Sequence, residues 1–298
     1  MSAGRSVRIV AFELLAVDLP FRSPFRHAAA QRSNSESVFL SCRTDSGAVG
    51  FGECLPRPYV TGESRDGVLA IMRDRILPRL VGQEFASLAE VEAFLAACDG
   101  RAPAAWVNPD TPQGAAWCAV DLALLDAFGR AFGETPLQGC RADLPPGFRY
   151  SGVLSSGRGP AHLVSVLKQR LFGLRQIKGK GDRGVPGGWL LRTGGGGGSA
   201  IELRVDVNMG WTVTEARARR KTWARHGIRS FEQPIAAHDL AGLARLVTET
   251  GLSVMADESF TTRESLSALI ERRACSAVNA RISKCGGLIA TLAGCREA

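Results

Sequence analysis

Residues 174–184, "LRQIKGKGDRG", decide between two folds. Gly179, Gly181 and Gly184 stand at the G-x-G-x-x-G spacing of a dinucleotide-binding turn, whereas Lys178 and Lys180 point the same way if the stretch is a β-strand. A dinucleotide turn must run directly into a helix whose N-terminus meets the pyrophosphate. Residues 185–200 continue instead as "VPGGWLLRTGGGGGSA", which is glycine-broken and a poor helix former. Glu202 and Asp206 do lie near the distance of a ribose-binding acid, so the dinucleotide reading stays as the weaker alternative. The two lysines carry the stronger signal.

Outward from this stretch the second half of the chain repeats one pattern. Short apolar runs, "RYSGVL", "LRQIKGK", "ELRVDV", "RSFEQP", "LSVMAD" and "AVNARISK", alternate with helical segments, which predicts parallel strands joined by crossover helices. Lys180, Asp206, Glu232, Asp257 and Lys284 each fall at or just beyond the end of a run, 25 to 27 residues apart. In a (β/α)₈ barrel of TIM type the C-terminal strand ends converge on one mouth, where active sites lie. Any single acid could instead cap the helix that follows it. Five charged groups in register, ordered Lys, Asp, Glu, Asp, Lys, fit a shared centre better.

Three carboxylates gathered in a small space stay ionised only if cations neutralise them. Oxygen ligands without Cys or His favour a hard divalent ion, Mg²⁺ with Mn²⁺ as the substitute, so Asp206, Glu232 and Asp257 are the candidate ligands. Lysines flanking that set approach from opposite sides, and a neighbouring divalent charge disfavours their ammonium forms. Such a pair suits removal and return of a proton α to a carboxylate, through an enediolate that the metal stabilises.

"IKGK", "RVDVN", "FEQP", "MADES" and "SKCGG", in this order and spacing, resemble the muconate-lactonising subgroup of the enolase superfamily. The likeness runs over essentially the whole chain, because "GFGECLPRPYVTGES" resembles the α+β capping domain that this family places over the barrel mouth. The resemblance implies an α/β protein with an α+β capping domain at 1–145 and a (β/α)-barrel catalytic domain at 146–298. It implies Lys180 and Lys284 as the acid/base pair, Lys178 as assistant to Lys180 and the enediolate, Asp206, Glu232 and Asp257 as Mg²⁺ ligands, and Asn208, Glu258 and Asn279 as supports behind them. The substrate would be a small-molecule carboxylate. Two similarly placed lysines and the "YVTGES" loop favour a dipeptide or N-acylamino acid epimerase; muconate cycloisomerase and o-succinylbenzoate synthase are the alternatives within the family. Capping loops at Phe21–His27 and Pro56–Glu63 are expected to shape the pocket, with Arg22, Arg57 and Tyr59 as substrate-binding candidates.

The chain departs from the pattern in two places. The second crossover is the glycine-rich 181–200 stretch, and only six of eight barrel units are counted, so the chain reads as C-terminally truncated. Exposed sheet edges then favour self-association, and a catalytically silent binding or assembly subunit is the competing function. The net charge of +8 invites a nucleic-acid reading, with Arg217, Arg219, Arg220, Lys221 and Arg225 in "EARARRKTWAR". A solvated helix face opened by a Thr212–Glu215 capping box explains that cluster better, and no nucleic-acid partner is expected. Eight cysteines without metal-ligand spacing read as reduced, mostly buried thiols. With no apolar run long enough for a membrane span and no leader pattern, the expected compartment is the cytoplasm.

Overall fold

The computed structural model describes residues 6–27, 30–138, 147–154, 160–181, 202–224, 228–251 and 253–298. The expected domain boundary at 145/146, Cys140, Gly184, Arg225 and nearly all of the glycine-rich stretch lie outside these residues.

The first unit is a four-stranded antiparallel sheet backed by helices. Strands β1 (Val7–His27), β2 (Ala30–Thr44), β3 (Val49–Cys54) and β4 (Glu84–Phe85) lie in the order β3-β2-β1-β4. The expected hairpin at Asp45-Ser46-Gly47 is present, with Gly47 at φ 86° and Thr44 N–H donating to Ala48 O at 3.0 Å. β3 packs on α4 (Gly114–Phe132) so closely that a Cβ at Gly52 would lie 2.0 Å from Ala119 O. The alternation of "GFGEC" therefore places glycines on the face that meets the helix. Between them, α1 (Arg65–Ile71), a π-helical turn (Met72–Ile76), α2 (Leu77–Leu80) and α3 (Leu88–Cys98) complete a core around Met72, Ile76, Leu80, Trp117 and Phe128. One expectation is corrected here. Phe21–His27 is not a loop but the end of the long strand β1, paired through Phe25–Arg32 to β2.

The second unit is a six-stranded parallel sheet, β5 (Ser151–Leu154), β6 (Gln176–Lys180), β7 (Glu202–Asp206), β8 (Ile228–Glu232), β9 (Ser253–Ala256) and β10 (Ala277–Val278), ordered by sequence. Helices α5 (Pro160–Leu171), α6 (Val213–Ala224), α7 (Leu240–Thr250), α8 (Arg263–Glu271) and α9 (Leu288–Glu297) alternate with the strands. Trp211, Trp223 and Phe231 meet edge to face, with ring centroids 5.2–6.0 Å apart, and tie α6 to β8. Two basic residues of α6 are used locally: Arg217 pairs with Glu249 at 2.8 Å and Arg219 lies 5.1 Å from the Trp211 ring. The Thr212–Glu215 capping box is formed. Five of the seven described cysteines are buried, and none is in a disulfide. Among the described residues no helix is long and apolar enough to cross a membrane.

The two units meet where α9 begins. A Cβ at Gly286 would fall 2.1 Å from Gly100 O, so only glycine lets these backbones touch. Asp121, buried on α4, accepts from Leu288 N–H at 2.8 Å and so caps α9 across the seam. Burial pushes its carboxyl up to about 7, and ionisation is therefore opposed in the folded protein. The stability that this group contributes is present at low pH and is lost as pH rises towards 7. Wild-type stability minus that of Asp121→Asn is expected to fall by up to about 1.4 kcal/mol per pH unit between about pH 4 and about pH 7. Urea unfolding across that range measures it, and parallel pH profiles for the two proteins would contradict it.

Candidate active site

Parallel pairing levels the strand ends that carry the charges. Lys180 is paired with Asp206 and Asp206 with Glu232 across β6, β7 and β8, while Asp257 follows the last residue of β9. All three carboxylates are buried, at 2%, 0% and 3% exposure. The ladder continues past them, Val207 N–H donating to Glu232 O at 3.0 Å and Gln233 N–H to Met255 O at 2.9 Å. Lys284 differs from the expected placement: β10 ends at Val278, and Lys284 sits six residues further on in the turn that leads to α9. The turn is closed by Lys284 N–H donating to Arg281 O and Gly287 N–H to Ile282 O.

The acids and cations interleave. Lys178 Nζ lies 2.9 Å from both Asp206 Oδ2 and Glu232 Oε1. Lys180 Nζ lies 2.8 Å from Asp206 Oδ2 and from Asn208 Oδ1. At the far end Lys284 Nζ donates to Asp257 Oδ1 at 2.8 Å and to the Asp257 carbonyl. Burial pushes the Asp206 and Asp257 carboxyls up, but the adjacent Lys178 and Lys180, and Lys284 and Arg281, reverse this and hold both below the usual carboxylate range. For Lys284 burial wins over Asp257 and lowers its pKa; for Lys178 the two acids win over burial and raise it.

The expected supports are in contact. Asn208 Nδ2 donates to Glu258 Oε1 at 3.3 Å and Asn279 Nδ2 to Glu232 Oε1 at 2.8 Å. Burial, then the charge of Asp257, pushes Glu258 up to about 7. Of the substrate-binding candidates, Tyr59 comes within the fields of Arg32, Arg281, Glu258 and Asp257, and burial raises its pKa. Arg57 donates to the carbonyl of its neighbour Pro56, and Arg22 stands exposed on β1; among the described residues neither is hydrogen-bonded or ion-paired to the cluster.

Three further residues were not singled out by sequence. Gln233, fully buried at φ 36°, accepts from Asp257 N–H and Ser259 N–H and donates to Ile235 O and the Ser259 hydroxyl, clamping the ends of β8 and β9. The run "FEQP" contained it, but no spacing rule marked it. Arg204, one turn of the pleat below Asp206, brings Nε to 3.0 Å from Glu232 Oε2 without hydrogen-bond alignment. Arg281 donates to Asp257 Oδ1. Asn208 and Met209, at φ 47° and 61°, share with Gln233 a left-handed backbone next to the acids, strain of a kind held at functional sites.

As placed, no three Asp, Glu, His or Cys side chains among the described residues stand close enough to grip one metal ion; each acid is turned to lysine or arginine instead. The donor set nonetheless fits a hard cation: oxygen only, buried, level across adjacent strands, with Glu232 Oε2 and Glu258 Oε2 making no hydrogen bond.

An open parallel α/β layer whose strand ends hold a row of acids between lysines, next to an α+β cap, defines the class. Residues 10–138 match the N-terminal domain of mandelate racemase and muconate lactonizing enzyme, and residues 192–298 match the enolase C-terminal domain-like family. The chain is 31% identical over 287 residues to the L-Ala-D/L-Glu epimerase of Bacillus subtilis, covering 95% of this chain and 75% of that one. A substrate-liganded structure of that epimerase superposes with a TM-score of 0.78, over 98% of this chain and 79% of the other. A chloromuconate cycloisomerase of Cupriavidus necator is 25% identical over 292 residues, 96% of this chain and 76% of its own. The fold is also shared with a dipeptide epimerase of Cytophaga hutchinsonii complexed with Mg and D-Ala-L-Val, at a TM-score of 0.80 and 22% identity, over 97% of this chain and 76% of that one. The chain belongs to the enolase superfamily, in its muconate-lactonising subgroup, whose members similar to it include epimerases and cycloisomerases.

Replacing Gln233 with Met keeps the volume but strands two N–H donors at the acids. The expected cost is roughly 2–4 kcal/mol of unfolding free energy, read by urea titration. A change within the error of the titration would show that the clamp carries no weight.

Proposed function

We propose that this protein abstracts a proton α to a substrate carboxylate and returns one to the opposite face, acting as an epimerase on dipeptides or N-acylamino acids. The observation that carries this reading is the placement of two amines at opposite ends of one acid row: Lys180 against Asp206 and Lys284 against Asp257, each at 2.8 Å. Asp206, Glu232 and Asp257 would hold Mg²⁺, or Mn²⁺ in its place. When bound, the ion supplies charge that stabilises a carboxylate carrying extra electron density.

The chain's own groups account for the proton traffic. Burial lowers the Lys284 pKa, the direction that favours its acting as a base. Lys178 has its pKa raised by Asp206 and Glu232 and stays an ammonium, a fixed positive charge beside the reacting carboxylate. Asn208, Glu258 and Asn279 hold Lys180, Asn208 and Glu232 in turn, which fixes the row's geometry. Tyr59 brings the cap to the substrate side. The resemblance to the Bacillus subtilis epimerase at 31% identity favours dipeptides over muconates. Cycloisomerisation shares the same first residues and is the alternative within this reading.

A second reading, a catalytically silent binding or assembly subunit, draws on the exposed Phe148, Tyr150, Val153, Leu171 and Phe172 around β5 and α5. The two readings separate in D₂O. With Mg²⁺ and a dipeptide panel headed by Ala-Glu epimers, wild type is expected to exchange the α-proton. Lys180→Ala and Lys284→Ala are each expected to lose epimerisation by about a hundredfold or more. Folded protein that exchanges no α-proton on any carboxylate supports silence.

Metal dependence has its own readout. At about 100 times its Kd, Mg²⁺ should add ~2.7 kcal/mol to the unfolding free energy of wild type, and Glu232→Gln should abolish that gain. Equal stabilisation of both proteins would place the ion elsewhere.

A further inference from the structure

Lys180 and Lys284 owe their positions to different parts of the fold. Lys180 ends a strand and is set by the sheet: it pairs with Asp206 across β6 and β7, and Gly181 N–H donates to Asp206 O at 2.7 Å. Lys284 lies six residues beyond β10, and the capping unit meets the chain there residue after residue. A Cβ at Gly114, the first residue of α4, would stand 3.0 Å from Lys284 O, and one at Gly100 would stand 2.9 Å from Cys285 O. One at Gly286 would fall 2.1 Å from Gly100 O, and one at Gly287 would fall 2.4 Å from Cγ of Asp121. Asp121, 1% exposed, then takes the Leu288 N–H at 2.8 Å. From 284 to 286 backbone rests on backbone, with no flexible side chain between to absorb a displacement.

The platform on which this turn rests is itself fastened at its first turn. Gln113, the N-cap residue of α4, directs its side-chain oxygen to Ala102 N–H at 2.9 Å and so ties the chain beside Gly100 to the helix. The first-turn N–H groups of Ala115 and Ala116 are taken by buried Glu63, from the 56–63 loop, at 2.7 and 3.0 Å. The end of α4 that faces Lys284 is thereby held from two sides.

We propose that Gly114 and Asp121 are positioning residues for Lys284: α4 of the capping unit sets where the backbone of that lysine stands, so the two proton transfers of the proposed reaction depend unequally on the cap. The inference rests on the reading of Lys180 and Lys284 as the two bases, and it concerns the place of the Lys284 backbone. A misplacement of about 1 Å costs on the order of a hundredfold in rate, so a shift of a few tenths of an ångström is measurable.

Gly114→Ala is the sharper probe, because alanine favours the helix and the new Cβ would press on Lys284 O. Asp121→Ala removes the clasp on Leu288, whereas Asp121→Asn keeps an acceptor oxygen there. Exchange of the α-proton in D₂O, with Mg²⁺ and each Ala-Glu epimer, is read in two backgrounds. Lys180→Ala exchanges through Lys284, and Lys284→Ala exchanges through Lys180. In Lys180→Ala, exchange is expected to fall roughly threefold to tenfold with Gly114→Ala and about tenfold or more with Asp121→Ala, and to be restored with Asp121→Asn. In Lys284→Ala, all three changes are expected to leave exchange within about twofold. A general weakening of the fold lowers both backgrounds alike, so equal loss in both, or loss in neither, overturns the positioning role.

Amide hydrogen exchange reads the same claim without turnover. Asp121→Ala is expected to speed exchange at 282–288 by about tenfold while 203–207 stay as in wild type. Amides at 282–288 that exchange no faster overturn the role whatever the α-proton does. Wild-type protein that exchanges no α-proton overturns the catalytic reading instead, so the two failures are distinguishable.

Discussion

Three carboxylates drawn to the same end of a parallel sheet cannot all be charged unless positive charge is brought among them. Two like charges 4 Å apart at an effective dielectric of 20 repel by about 4 kcal/mol, a sizeable share of a domain's net stability. The barrel unit answers with five cations: Lys178, Lys180, Arg204, Arg281 and Lys284 all approach Asp206, Glu232 or Asp257. The strand register, the left-handed backbone at Asn208 and Gln233, and the Gln233 clamp all serve to hold that alternation of charge. In the proposed reading the same arrangement would serve the chemistry, because a divalent ion held by the acids would replace part of the lysine charge there.

The cap contributes in a different way. Its glycines at 52 and 100 allow backbones to meet with no side chain between, and Asp121 fastens α9 to α4 through a helix N-terminus. Lys284 leads into that helix through Gly286 and Gly287, so the position of one proposed base depends on how the two units dock. Burial of Lys284 at the seam lowers its pKa, and Lys180, nearer the mouth, sits in different surroundings. Two chemically identical side chains thereby stand in different environments.

Much of this was legible in the sequence because strand ends recur at a fixed interval. The alternation of apolar runs and helices predicts the parallel sheet, and the 26-residue spacing of Lys180, Asp206 and Glu232 corresponds to paired positions at the strand ends, with Asp257 a further 25 residues on, just past β9. Lys284 kept the spacing but not the secondary structure: "AVNARISK" pairs through two residues only, since beyond Val278 the chain turns back at Arg281 to reach the seam. Phe21–His27 looked like a loop because Pro20, Ser23 and Pro24 are weak strand residues, yet its pairing with β2 overrides that propensity. Gln233, Arg204 and Arg281 were invisible for a different reason. Their partners lie on neighbouring strands more than 20 residues away, so no local pattern announces them.

The central claim concerns one ion and three acids, and diffraction from crystals grown with Mn²⁺ addresses it most directly. The account predicts an anomalous peak bonded to carboxylate oxygens of Asp206, Glu232 and Asp257, with the Lys180 and Lys284 amines on opposite sides of it. A peak bound by other residues, or lysines that remain locked on all three acids in saturating Mn²⁺, would contradict it.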